Sequence, residues 1–366
     1  MRSIIKKIGL LLMCLVLSLS FCDSFTGIDR VQAAATYQIQ VNRSTNVVTV
    51  FDANGEPIKA MTCSTGGANT PLGTYSTGGK YRWWELDGPC WGQYCTRITG
   101  HVLFHSVWYY AINNPAAQST VQYNKLGTPA SHGCVRLTVA DSKWIYDNCP
   151  TGTKVNIIDG TEENDPLGKP KTIQVSTASR TGWDPTDPTP GNPYATAQPS
   201  IDTSKVKTKV GYGSDWDPLK NLIATDSCGN DVTLDVKVET RLKTKKLGRY
   251  KVTYKLTDGL GRTAKETIKV KVVDNKKATI KGVKSDVVLG LGTQLNLKNG
   301  VKAKTVDKKD ITKKLKVDIE TPSGEFIENY KGTFAFNEYG SYIVTYRVEN
   351  PRNEKVTTKV AHVTVQ

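Results

Sequence analysis

The back half of the chain repeats itself, and a repeat of this size narrows what that half can be. Asp231-Val232-Thr233 and Lys237-Val238 return 79 residues later as Asp310-Ile311-Thr312 and Lys316-Val317. Gly248-Arg249-Tyr250-Lys251-Val252-Thr253-Tyr254 returns 92 residues later as Gly340-Ser341-Tyr342-Ile343-Val344-Thr345-Tyr346. The two offsets differ by 13 residues (92 against 79), so the second copy carries an insertion, around Thr321 to Tyr330. Each copy ends in alternating β-branched and polar residues, Thr267 to Val273 and Val356 to Val365, as strands with one buried face require. Short strands separated by turn residues, at this copy length, predict a β-sandwich over 201–274 and a second over 275–366.

Charge separates this half from the rest. Residues 201–366 hold 33 Lys+Arg against 20 Asp+Glu, a net of +13, whereas residues 36–160 hold 9 against 7, a net of +2, in a chain of formal charge +15. Between them, residues 161–200 carry Pro166, Pro170, Pro185, Pro188, Pro190, Pro193 and Pro199 with many Thr, Asp, Gly and Asn. Too few apolar residues lie there to bury a core, and the segment reads as a linker.

The N-terminus speaks to location. Arg2, Lys6 and Lys7 precede an apolar run from Ile8 to Phe21, and Ala33-Ala34-Ala35 follows, so residues 1–35 read as an export signal. The run is shorter than the ~20 residues that span a bilayer, and no stable membrane span is expected after cleavage, a retained anchor being the alternative. Export removes Cys14 and Cys22 and leaves Cys63, Cys90, Cys95, Cys134, Cys149 and Cys228. In an oxidising compartment Cys90 and Cys95 are a candidate loop disulfide. No histidine or cysteine pair has convincing zinc-ligand spacing, so neither metal nor cofactor is expected.

The front lobe, residues 36–160, also reads as β-rich. Tyr37, Ile39 and Val41 alternate, Val47 to Phe51 follows, and Asn54-Gly55 turns the chain into Ile58 to Cys63. Val102 to Phe104 reads as a strand, Val139 to Asn148 as a helix opened near Thr138 and stopped by Pro150, and Val155 to Ile158 as a last strand.

Chemistry concentrates in this lobe. Four histidines occur in 366 residues, at 101, 105, 132 and 362, and three stand at or near Ser131-His132-Gly133-Cys134. A thiol nucleophile needs a neighbour that takes its proton, because the thiolate attacks and an ordinary Cys is mostly thiol at neutral pH. His105, in Phe104-His105-Ser106, is the candidate base, while His101, lacking motif neighbours, reads as structural. Trp83, Trp84, Trp91 and Trp108 fit either a groove or the core.

A histidine, a spacer, Ser-His-Gly-Cys, an apolar residue and an arginine together resemble the L,D-transpeptidases of bacterial cell walls, whose catalytic domain is also called YkuD-type. Here those residues are His105, then Ser131 to Arg136; Ser64-Thr65-Gly66 and Thr70-Pro71-Leu72-Gly73 resemble the family's early loops. The 25 residues between His105 and Ser131 exceed the family's usual spacer, and the extra residues, about 113–127, are expected to form part of a lid. The repeats resemble the immunoglobulin-like modules of exported bacterial surface proteins.

The resemblance implies a mainly β protein: a β-rich catalytic domain with a short helix, then two immunoglobulin-like β-sandwich domains. It implies Cys134 as nucleophile and His105 as base, with His132, Gly133 and Ser106 orienting or stabilising, the last through its carbonyl. Arg136 and Ser131 are the substrate-binding candidates. The expected substrate is a peptidoglycan stem tetrapeptide, which loses D-alanine and is passed to an amine of another stem in the cell wall, at the extracellular face of a bacterial envelope of Gram-positive type. Anionic wall polymers are candidate partners of the basic repeats, and no nucleic-acid partner is expected. Two alternatives stand: a sortase-like or hydrolytic cysteine acyltransferase, and a non-enzymatic wall-binding protein.

Overall fold

The computed structural model describes residues 37–179 and 181–366; the expected export signal, residues 1–35, lies outside the described residues. Two compact units divide the chain: residues 37–173 with 181–192, and residues 174–179 with 193–366. Among the described residues no helix is long and apolar enough to cross a membrane.

The first unit packs two sheets. One runs β3 (Pro57–Thr62), β2 (Val47–Phe51), β1 (Gln38–Asn42), β9 (Lys154–Ile158) and β4 (Gly73–Ser76), and the other runs β5 (Lys80–Glu85), β6 (Trp91–Thr99), β7 (Val102–Ser106) and β8 (Val135–Leu137). Ile39, Val41, Val48, Val50, Val155 and Ile157 alternate inward from the first sheet and meet Ile98, Phe104, Val135 and Leu137 of the second. Between β7 and β8 lies a helical turn, α1 (Thr120–Tyr123), and after β8 comes α2 (Val139–Asn148). The Thr138 side chain caps α2 by accepting from Asp141 N–H.

The second unit holds the two sandwiches. In the first, β10 (Ser200–Asp202) pairs with β12 (Ile223–Thr225), opposite a sheet ordered β11 (Lys209–Gly211), β15 (Thr263–Val273), β14 (Gly248–Thr257) and β13 (Lys237–Thr240). The second repeats this scheme with β16 (Thr279–Lys281), β17 (Asp286–Leu289), β19 (Lys302–Lys304), β20 (Lys316–Glu320), β23 (Gly340–Glu349) and β24 (Val356–Val365). In both, an early strand joins the last one in parallel: β11 on β15, β17 on β24. The repeated Asp-x-Thr has one local function. Thr233 N–H donates to Asp231 and the Thr233 hydroxyl accepts from Ala224 N–H, as Thr312 does with Asp310 and Ala303. The insertion of the second copy is the hairpin containing β21 (Phe326–Ile327), which extends its main sheet. A further strand, β22 (Thr333–Phe336), pairs with β18 (Thr293–Asn296).

Residues 161–200 are not a free linker. Residues 161–173 and 181–192 belong to the first unit, where Asp165, Asp184, Asp187 and Asn192 are buried. Composition misled because hydrogen-bonded carboxylates and amides, rather than apolar side chains, hold this segment down.

Candidate active site

Cys134 lies one residue before β8, and parallel pairing of β8 with β7 sets His105 beside Arg136. Both residues line, with Cys134, one cleft of about 780 Å³. The nucleophile turn is held by hydroxyl-to-backbone hydrogen bonds. The Ser131 hydroxyl donates to Cys134 O (2.6 Å) and accepts from Gly133 N–H (3.1 Å). The Thr70 hydroxyl donates to Gly133 O and accepts from Gly66 N–H, both at 2.8 Å. Gly133 has φ +147, a region an L side chain rarely adopts. Gly66 faces the turn so closely that a Cβ there would lie 2.5 Å from Gly133 N. The Ser64-Thr65-Gly66 and Thr70 loops are therefore the bed of the nucleophile turn.

The Ser131 hydroxyl staples the turn, and Ser131 also lines the cleft. Gly133 N–H is already satisfied by Ser131, which leaves Cys134 N–H as the donor of the turn that could face an oxyanion. His132 is exposed on the cleft lining. His101 is exposed as well, and its carbonyl lies 3.5 Å from Cys134 Sγ.

His105 is 1% exposed, and its Nδ1 lies 2.6 Å from Ser106 O. A carbonyl only accepts, so Nδ1 carries the proton and Nε2 keeps its lone pair. Burial, reinforced by the Arg136 cation, lowers the imidazole pKa to about 3 against the opposing Ser106 carbonyl. Burial raises the Cys134 thiol, while the Leu103 N–H and Arg136 pull it down. At neutral pH the pair is therefore an uncharged imidazole and a thiol, so attack must be accompanied by proton transfer. Ser106 is itself fixed: its hydroxyl donates to Val107 O and accepts from Gln93 N–H.

Arg136 donates through Nη1 to Ala130 O (2.6 Å) and Gln122 Oε1 (3.1 Å), while its Nε is buried without a partner. No ion pair of the described residues involves it. The segment 113–127 contributes Gln122 and Lys125 to the cleft wall. Gln118 in it is buried, Gln122 holds Arg136, and Lys125 O accepts from the Ser64 hydroxyl at 3.0 Å. Trp84 and Trp108 line the cleft, whereas Trp83 packs edge-on against Tyr109 and Trp91 pairs with the same tyrosine across the sheet.

Cys90 and Cys95 are free thiols, which corrects the expected disulfide. Cys90 stands just before β6, and Cys95 lies within that strand opposite Tyr81, one residue after Tyr94, whose φ is +49. Cys90 lines the cleft, and Cys95 is buried with its thiol pushed up by burial. Cys63 and Cys149 are buried as well, and burial raises Cys149 to about 11. Among the described residues no group of three or more His, Cys, Asp or Glu could hold a metal ion.

Positioning residues that the motif did not reveal come from the strap 181–192. Asp184 Oδ2 accepts from Val139 N–H (2.8 Å), the first residue of α2, and from Gln118 Nε2 (3.4 Å). Asp187 Oδ2 accepts from Gln93 Nε2 (3.1 Å), the residue whose backbone holds Ser106. The strap thus reaches the ends of both strands that carry the site. The available signal was Asp-x-Thr at 184–186 and again at 187–189, each closed by an N–H to carboxylate bond.

Parts of the chain are similar to known proteins. Residues 36–157 match the L,D-transpeptidase catalytic domain and residues 202–272 the bacterial surface protein Ig-like domain. Bacillus subtilis YciB, named on inference as an L,D-transpeptidase, is 48% identical over 58 residues, which cover 16% of this chain and 28% of that protein. Pesticidal crystal protein Cry22Aa of Bacillus thuringiensis is 33% identical over 126 residues, 33% of this chain and 17% of that one. The chain thus spans under a third of either relative. A solved L,D-transpeptidase from Mycobacterium smegmatis is 21% identical, covering 34% of this chain and 59% of that one, with a TM-score of 0.28. The chain carries an L,D-transpeptidase catalytic domain, followed by a bacterial surface Ig-like domain, a pairing of cell-envelope parts.

Proposed function

We propose that this protein is a peptidoglycan L,D-transpeptidase with Cys134 as nucleophile and His105 as base, exported to the wall of a bacterial envelope. The observation that supports it best is the convergence on one cleft of a thiol, a buried neutral imidazole of fixed tautomer, and a guanidinium with no acidic partner among the described residues.

Cys134 Sγ attacks the carbonyl that precedes the terminal D-alanine of a stem tetrapeptide while its proton passes to His105 Nε2. Cys134 N–H donates to the oxyanion as it forms, and removal of one such donor typically costs about 10²–10³ in rate. The C–N bond then breaks, His105 returns its proton to the departing amine, and D-alanine leaves a thioester on Cys134. An acceptor amine attacks the thioester, loses a proton to His105, and forms the new amide as the sulfur regains its proton. Arg136, whose Nη1 is held by Ala130 O and Gln122 Oε1 and whose Nε is buried, offers Nη2 to a substrate carboxylate.

The test incubates full-length protein with a soluble tetrapeptide fragment and an amine acceptor. Release of D-alanine in step with cross-linked product, both absent with Cys134→Ser, is expected. Cross-linking by the Cys134→Ser variant would overturn the assignment.

A further inference from the structure

The first sandwich presents a continuous cationic sheet face. Residues paired directly across neighbouring strands share a face, and the pairs here are Lys209 with Lys271, Arg249 with Lys271, Lys251 with Lys269, Lys255 with Lys265, and Lys237 with Lys255. All eight of these cations are exposed, and Glu239, bonded to Lys255, is the acid among them. Directly opposed like charges destabilise a sheet, so sequence alone gives no folding reason for this stacking. Protection of sheet edges does not explain it either. In the order β11-β15-β14-β13 most of these cations sit on the central strands β14 and β15, not on the edges.

The second sandwich supplies an internal comparison. It has nearly the same charge, 17 Lys+Arg against 10 Asp+Glu over 275–366, compared with 16 against 10 over 201–274. Yet its corresponding face carries one directly opposed cationic pair, Lys316 with Arg347, against five in the first sandwich. Ser341 opposes Thr364, Ile343 opposes His362, and Thr345 opposes Val360. Its Arg347 is neutralised by Asp318 at 2.5 Å. The cationic face is therefore a property of one sandwich, not of the fold or of net charge.

We infer that the outer face of the β11-β15-β14-β13 sheet binds a linear phosphate-repeat polymer of the bacterial envelope. On β14 and β15 cations stand two residues apart at Arg249 and Lys251 and at Lys269 and Lys271, roughly 6.6 Å, the Thr253–Thr267 pair separates them from Lys255 and Lys265, and across strands the spacing is roughly 4.8 Å, so a flexible polyanion can cross the rows and meet several positive charges. A second copy of this face would repel, which removes self-association as its use. The inference stands on the second unit alone and does not depend on the catalytic assignment.

The experiment uses the full chain and poly(glycerol phosphate) as the probe. One variant carries Lys251→Ser, Lys255→Ser, Lys265→Ser and Lys269→Ser. The control carries Lys281→Ser, Lys302→Ser, Lys304→Ser and Lys359→Ser, the same charge change on exposed lysines of the second sandwich. The face variant is expected to lose on the order of tenfold or more in affinity at low salt while the control loses less than about threefold, and the wild-type advantage is expected to fade as salt rises. Circular dichroism and thermal unfolding check that the face variant, relieved of like-charge pairs, is folded. Equal losses in both variants would mean diffuse charge and overturn the site. Failure of wild type to bind at low salt, or tighter binding to duplex DNA or to poly-glutamate than to poly(glycerol phosphate), would overturn the ligand.

Discussion

Gly66→Ala tests the idea that the Ser64-Thr65-Gly66 loop is the bed of the nucleophile. The added Cβ would stand 2.5 Å from Gly133 N, 2.8 Å from Gly133 Cα and 3.1 Å from His132 C. All three are backbone atoms of the nucleophile turn, so no rotamer change relieves the overlap. Ordinary contact begins at 3.4 Å, which requires a relative shift of about 0.9 Å (3.4 − 2.5) between loop and turn. The turn is also tied by Thr70 and Ser131, so the shift displaces Cys134 relative to His105. A misplacement of about 1 Å costs on the order of 10²-fold in rate, and overpacking typically costs about 1–3 kcal/mol of stability. Gly78→Ala is the control, because its Cβ would meet only the Arg97 side chain at 3.6 Å. Acylation of Cys134 measured by intact-protein mass spectrometry, beside thermal unfolding, reads both quantities. An acylation rate for Gly66→Ala within about threefold of wild type, with Gly78→Ala unchanged, would refute the reasoning.

Further predictions follow from the same geometry. His105→Ala should lower the acylation rate by several orders of magnitude and His101→Ala by little, and the reverse order would reassign the base. His105 binds fewer protons folded, with its pKa lowered to about 3, than unfolded, near 6.5. Its contribution to stability is thus whole above about pH 6.5 and is lost as pH falls toward 3, with a slope of at most about 1.4 kcal/mol per pH unit. Stability profiles of wild type and His105→Gln should diverge in that window, and parallel profiles would contradict the burial of the ring. Asp184→Ala strips acceptors from Val139 N–H, Thr186 N–H and Gln118, and should destabilise the first unit by about 3 kcal/mol or more, seen as an earlier unfolding transition. An unmoved transition would show the strap to be dispensable.

The strands of both units were legible because burial on one face imposes a period of two, visible in Tyr37-Ile39-Val41 and in Thr267 to Val273. The repeat was legible because Asp231-Val232-Thr233 and its copy each build the same hydrogen-bonded turn. The nucleophile turn could be found because four of its residues are adjacent in sequence. What stayed hidden acts at long range or through polar burial. The strap looked like solvated linker because Asp184 and Asp187 are held by donors 45 and 94 positions away in sequence, from Val139 and Gln93. Cys90 and Cys95 looked like a closed loop because spacing does not say whether a strand runs between them. The stapling role of Ser131 stayed hidden because a sequence does not show which way a hydroxyl turns.

One measurement addresses the central claim. Full-length protein mixed with a stem tetrapeptide fragment, without an acceptor, is digested and the peptide carrying Cys134 is weighed. This peptide is expected to gain the mass of the fragment less D-alanine, with free D-alanine in equal amount and neither seen with Cys134→Ala. D-alanine release with no adduct on Cys134, undiminished in Cys134→Ala, would contradict the claim.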